Sequence, residues 1–137
     1  MRKIKIYTDG SCLGNPGFGG WGVIILDGEK EIILSGGQEN TTNNRMELTA
    51  IIESLRWIKS YCIDTEVQIF SDSNLYISSI TKNWKRKKNL DLWEEFDRLY
   101  RGLSIEWSWV KGHSTNRYNN KVDKIALKEA EKMKYGR

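Results

Sequence analysis

Four carboxylates in this chain fall where alternating or helical patterns start or stop: Asp9, Glu47, Asp72 and Asp123. Each has an ordinary structural explanation. Asp9-Gly10 has the form of a turn, Glu47 stands three residues after Asn44 as the second half of a capping box, Asp72 could cap the helix that follows it, and Asp123 could answer a helix dipole. Brought together, the same residues would do something else. Oxygen ligands without a Cys or His cluster suit a hard cation, Mg2+ with Mn2+ as a possible substitute. Two such ions about 4 Å apart activate an attacking water and stabilise the leaving oxygen when a phosphodiester is hydrolysed. That chemistry needs several carboxylates and no protein nucleophile.

The elements that must position these acids can be taken from the patterning. Residues 3–9 alternate, with Ile4, Ile6 and Thr8 on one face and Lys5, Tyr7 and Asp9 on the other, which predicts a half-buried strand. Five glycines from Gly10 to Gly20, around Asn15-Pro16-Gly17, require backbone that turns tightly or approaches something closely. Strands over 20–26 and 31–36 flank the hairpin signal Asp27-Gly28. Asn44 then heads a helix in which Leu48, Ile51, Ile52, Leu55 and Ile58 share one face. A strand over 66–71 leads through Asp72-Ser73 into a short helix to about Thr81, and Leu90 to Tyr100 reads as a third helix. Residues 105–110 alternate as a fifth strand, a loop holds the only histidine, His113, and a last helix runs from about Asn119 to Met133. Helices placed after a three-strand antiparallel meander impose crossovers, so the last two strands join the first in parallel. The expected fold is α/β, a five-stranded mixed sheet flanked by about four helices, in a single domain over 1–137. In such a sheet, sites form at strand ends where neighbours diverge, so Asp9 and Asp72 are expected to converge.

Hydrophobic residues make up 39% and charged residues 29%, ordinary globular values, and no apolar run approaches the roughly 20 residues of a membrane span. The opening residues enter a strand pattern without the apolar segment of a signal peptide, which predicts a cytoplasmic protein, and Cys12 and Cys62 then read as free thiols. Lys82, Lys85, Arg86, Lys87 and Lys88 surround Trp84, so although the net charge is only +4, a polyanion is a reasonable partner. The plainer alternatives are a solvated basic turn and a core position for Trp84.

Taken together, Tyr-Thr-Asp-Gly-Ser-Cys-Leu-Gly-Asn-Pro-Gly at 7–17, Thr-Thr-Asn-Asn-Arg-Met-Glu-Leu at 41–48, Ser-Asp-Ser at 71–73, Trp-Val-Lys-Gly-His at 109–113 and the acid at Asp123 closely resemble ribonuclease H type 1. The resemblance covers nearly the whole chain in order. It implies a ribonuclease H-like fold and an endonuclease, expected to be a monomer, that cuts the RNA strand of RNA/DNA hybrids to leave a 5′-phosphate and a 3′-hydroxyl. By the same resemblance Asp9, Glu47, Asp72 and Asp123 match the metal-binding acids, with Asp9 bridging two Mg2+ ions, and His113 matches a loop histidine that moves protons or helps product leave. Cys12, Asn15, Asn43 and Asn44 match residues that meet the hybrid, the asparagines in its minor groove, where an RNA 2′-hydroxyl marks the strand to be cut. Thr42 and Asn89 match a pocket for a DNA-strand phosphate, and Trp84 with the lysines beside it could contact that strand by stacking and charge. The family's longer bacterial members carry an extended basic protrusion, and here only Asn83 to Asn89 lies in its place. The alternatives weighed beside this are a non-catalytic hybrid-binding module, the ribonuclease H domain of a reverse transcriptase, and the related transposases, integrases and junction resolvases.

Overall fold

A computed structural model describes residues 2–62, 65–112 and 115–136. The elements are β1 (Arg2–Leu13), β2 (Gly17–Asp27), β3 (Lys30–Thr41), α1 (Asn43–Tyr61), β4 (Thr65–Ser71), α2 (Asn74–Thr81), α3 (Leu90–Tyr100), β5 (Ile105–Trp109) and α4 (Arg117–Tyr135). They form one sheet in the order β3-β2-β1-β4-β5. The β1–β2 and β2–β3 pairs are antiparallel and the β1–β4 and β4–β5 pairs parallel, so the mixed sheet is as the crossovers required. No helix among the described residues is long and apolar enough to cross a membrane.

The central strand departs from its expected half-buried form. Ile4 and Ile6 face a core of Leu48, Ile51, Leu55 and Phe96 beneath α1 and α3, while Tyr7 packs with Ile24 and Val122 under α4 on the opposite face. Tyr7 stacks on Phe70 at 4.6 Å between ring centres and meets Tyr118 at 5.5 Å. With helices on both sides, β1 is buried on both faces, and Asp9 lies inside it rather than at its end.

The helix starts also differ from the sequence reading, and the differences matter for the acids. Thr42, not Asn44, caps α1 by accepting from the Arg45 N–H at 3.2 Å, which places Glu47 beyond the first turn and dissolves its capping box. Ser73, not Asp72, caps α2, and Asn116 caps α4, so Asp123 lies beyond the reach of that helix's first-turn dipole. None of the four acids retains its ordinary structural job.

The glycines serve contacts within the chain. A methyl at Gly10 would stand 2.2 Å from the backbone nitrogen of Glu47, and one at Gly20 would stand 2.3 Å from the Ala126 carbonyl oxygen of α4. Backbone meets backbone at both places, so α1 and α4 sit against the sheet at a distance that no Cβ permits. Gly20→Ala is therefore expected to cost about 3 kcal/mol by overpacking, read as a lowered urea midpoint. Gly28→Ala, at a left-handed turn with open space around it, is expected to cost only about 1 kcal/mol.

Candidate active site

The acids gather because three independent packing constraints bring their elements together. Parallel pairing of β1 with β4 sets Thr8 opposite Ser71, so the next rung of the ladder would pair Asp9 with Asp72. Close approach of α1 at Gly10 delivers Glu47. Close approach of α4 at Gly20 and Gly22 delivers Asp123, whose carboxyl hydrogen-bonds to that of Asp9. The carboxylates of Asp9, Glu47 and Asp72 each offer an oxygen within 4.8 Å of the others. Asp123 is exposed at the rim of this group.

Such crowding has an electrostatic signature. Burial of Asp9, the negative charge of Asp72, its hydrogen bond to Asp123 and the charge of Glu47 raise the Asp9 carboxyl to about 9, against a smaller opposing effect of the Gly10 N–H, which donates to Oδ1 at 2.9 Å. Glu47 is raised to about 7 by burial and by Asp72, with a hydrogen bond from the Ser73 hydroxyl acting the other way. Among the described residues no Lys or Arg forms an ion pair with Asp9 or Glu47. Hard oxygen donors converging without a protein cation on two of them fit a divalent cation, which would remove the repulsion that drives these shifts.

The neighbourhood of Asp72 is tied to β5. The Val110 N–H donates to the Ser71 carbonyl at 2.9 Å and the Trp109 indole N–H to the Asp72 carbonyl at 3.1 Å. Gly112 lies against the Asp72 side chain, where a methyl would come within 3.3 Å of Oδ2. His113 lies outside the described residues.

Of the residues expected to meet substrate, six form one continuous patch beside the acids. Cys12 Sγ donates to the Thr41 carbonyl at 3.3 Å, and Asn15 Oδ1 accepts from the Asn43 N–H at 3.1 Å, joining the β1–β2 turn to the head of α1, where Thr42, Asn43 and Asn44 stand. Both cysteines are free. Asn89 joins this patch from the head of α3, its Oδ1 accepting from Arg45 Nη1 at 3.3 Å. Trp84 is 45% exposed, so it is not a core residue, and Lys82 Nζ lies 5.7 Å from its ring centre. Arg86 leaves the basic run. Its guanidinium lies 3.9 Å over the Trp93 ring and pairs with Asp97 at 2.7 Å.

The family model described as RNase H matches residues 1–131. The chain belongs to the RNase H family. A ribonuclease H of Acetivibrio thermocellus is 45% identical to it over 146 residues, covering 96% of this chain and 97% of that one. A ribonuclease HI of Campylobacter jejuni is likewise 45% identical over 141 residues, covering 97% of this chain and 94% of the relative. Among solved structures, LC11-RNase H1 in complex with RNA/DNA hybrid superposes with a TM-score of 0.82 at 25% identity, over 94% of this chain and 97% of that one. The RNase H chain described here is thus an enzyme by family and by its relatives.

Sequence reasoning missed Ser73 as a partner of Glu47 and Tyr76 as a buried neighbour of the substrate patch. Ser73 carried a signal, as a small hydroxyl directly after an acid at a strand end. Tyr76 carried none, because an aromatic in a short apolar helix reads as core.

The raised acids make stability depend on pH with a definite sign. A carboxyl whose folded pKa exceeds its unfolded value binds more protons folded than unfolded, so its ionisation opposes folding. The cost of Asp9 is absent below about pH 4 and grows as pH rises toward 9. Asp9→Asn is accordingly expected to raise the Tm of metal-free protein at neutral pH by on the order of 5 °C, with the difference vanishing near pH 4. Saturating Mg2+ should reverse the neutral-pH ranking by stabilising the wild type more, a comparison open to calorimetry.

Proposed function

We propose that this enzyme is an endonuclease that hydrolyses the RNA strand of RNA/DNA hybrids, leaving a 5′-phosphate and a 3′-hydroxyl, as a monomer in the cytoplasm. The observation that carries the reading is the meeting of Asp9, Glu47 and Asp72 within 4.8 Å, with Asp123 hydrogen-bonded to Asp9. Asp9, Glu47, Asp72 and Asp123 would hold two Mg2+ ions, or Mn2+ in their place, Asp9 serving both. When bound, such ions lower the pKa of the attacking water and neutralise charge on the leaving oxygen.

What the chain itself contributes is position. Asp9 is held from a strand buried on both faces, so its carboxylate is fixed by packing on either side. Ser73 holds Glu47 through a hydrogen bond to the carboxylate, and the bond from Trp109 anchors the backbone of Asp72. In the reaction a water oxygen bonds to phosphorus and gives up a proton as the bond from phosphorus to the RNA 3′-oxygen breaks, and the 3′-oxygen gains a proton to become the 3′-hydroxyl. His113 would take the role of moving protons, or ease product release, as the resemblance to the family implies, and an imidazole suits it by titrating near neutral pH.

Substrate choice follows from the patch beside the acids. Cys12 would meet the hybrid, and Asn15, Asn43 and Asn44 its minor groove, where a 2′-hydroxyl tells the RNA strand from the DNA strand. Thr42 and Asn89 would hold a phosphate of the DNA strand, and Trp84 with the exposed lysines around it would contact that strand by stacking and charge. The hybrid-bound LC11-RNase H1, of similar fold along nearly all of both chains, supports the same substrate class.

With Mg2+, purified protein is expected to degrade RNA paired to DNA and to spare single-stranded RNA and duplex DNA. Equal cleavage of all three would end the specificity assignment. Asp9→Asn should lower kcat by at least about a thousandfold while the circular dichroism spectrum is unchanged. A variant with near-wild-type turnover would overturn the role of Asp9, and an inactive wild type that still binds hybrid would mark a binding module instead.

A further inference from the structure

Tyr76 is 3% exposed, and its ring sits 5.7 Å from that of Trp93 between α2 and α3. Its hydroxyl, however, is not idle in that core. It donates to the Asn44 carbonyl in the first turn of α1 at 2.6 Å and accepts a hydrogen bond from the Asn89 side chain at the head of α3. Asn89 is unusual in two ways. It occupies the left-handed region at φ 57°, and although it is the N-cap of α3 its side chain makes no capping bond. The side chain reaches across to α1 instead, with Oδ1 accepting from Arg45 Nη1 and the amide nitrogen donating to Tyr76. An amide nitrogen carries two hydrogens, so this arrangement uses one and leaves the other free to donate. The two partners also decide which way the amide faces. Without the tyrosine oxygen, a flip that exchanges oxygen for nitrogen would lose far less.

We propose that Tyr76 is a positioning residue for hybrid binding: its hydroxyl sets the spacing between the heads of α1 and α3 and orients the Asn89 amide as a hydrogen-bond donor toward a backbone phosphate. The inference rests on the proposed function, since it supplies the reason why Asn89 is able to act there. The Asn44 side chain is exposed while its carbonyl is anchored, so the same hydroxyl fixes the backbone from which Asn44 reaches the minor groove. Strain at a left-handed asparagine persists only where the surroundings over-determine it, and Tyr76 and Arg45 provide that determination.

Tyr76→Phe keeps the ring and its packing and removes only the hydroxyl. In an Asp9→Asn background that does not turn over, binding of a fluorescent RNA/DNA hybrid should weaken by about tenfold, the loss of one hydrogen bond to a charged group. In the active enzyme KM should rise by a similar factor while kcat stays within about twofold. Asn89→Ala should weaken binding comparably, and the double variant should be no worse than either single one, because both remove one device. Ser78→Ala, which removes a buried hydroxyl from the same helix, is the control for simple loss of helix stability and should leave hybrid affinity unchanged. Unchanged affinity in Tyr76→Phe, or additive losses in the double variant, overturns the proposal. A wild type that fails to bind hybrid overturns the functional reading beneath it, which is a different result.

Discussion

The site depends on a contact that contains no side-chain chemistry at all, the approach of α1 to the backbone of β1 at Gly10. The distance that a methyl there would have to the Glu47 nitrogen, 2.2 Å, means that helix and strand touch main chain to main chain. At that separation the Glu47 carboxylate comes within 4.8 Å of that of Asp9. Gly20 and Gly22 do the same for α4 and Asp123 on the other face, and the parallel ladder does it for Asp72. Asp9, Glu47 and Asp123 therefore stand on a strand and two helices, and Asp72 directly follows the last residue of β4. Such placement suits a site whose ligands must keep their geometry without a protein cation among them.

That placement conflicts with the stability of the metal-free chain. Bringing carboxylates within 4.8 Å of each other in partly buried surroundings favours their neutral forms, as the upward shifts at Asp9 and Glu47 record. The offset comes from elsewhere. β1 is buried on both faces, Tyr7, Phe70 and Tyr118 form an aromatic layer under α4, and Trp93, Phe96, Tyr100 and Trp107 form another under the opposite face. Natural folds tend to break local rules at functional sites and compensate in the core, and the division here follows that rule.

How far this was legible in the sequence depends on which physical signal each residue carried. The order and type of the elements were readable, because hydrophobic period and turn residues agree along the chain, and α3 was placed at Leu90–Tyr100 as observed. Burial of Tyr7 was not, since alternation reports one face of a strand and says nothing of a helix that returns from over a hundred residues later to cover the other. The capping readings of Glu47 and Asp72 and the dipole reading of Asp123 failed for a related reason. Several polar residues compete at each helix start, and Thr42, Ser73 and Asn116 prevailed, each side chain accepting from a backbone N–H of the first turn. The glycines were read as a demand for tight turning or close approach, and at Gly10 and Gly20 what approaches is the backbone of the chain's own helices.

The basic segment shows the same limit in charge. Counted along the sequence, Arg86 is one more cation among Lys82, Lys85, Lys87 and Lys88, and all four lysines are indeed exposed. Arg86 is not their equal, because it lies over the Trp93 ring at 3.9 Å and pairs with Asp97. A surface ion pair alone contributes about 0 to 1 kcal/mol, whereas a planar guanidinium sandwiched between a ring and a carboxylate adds stacking that an ammonium cannot supply. Pinned at that point, the short segment is tied to α3 through Arg86 at Trp93 and Asp97. The placement of the basic surface thus follows from the residue that sequence counting assigned to that surface and that the fold removes from it.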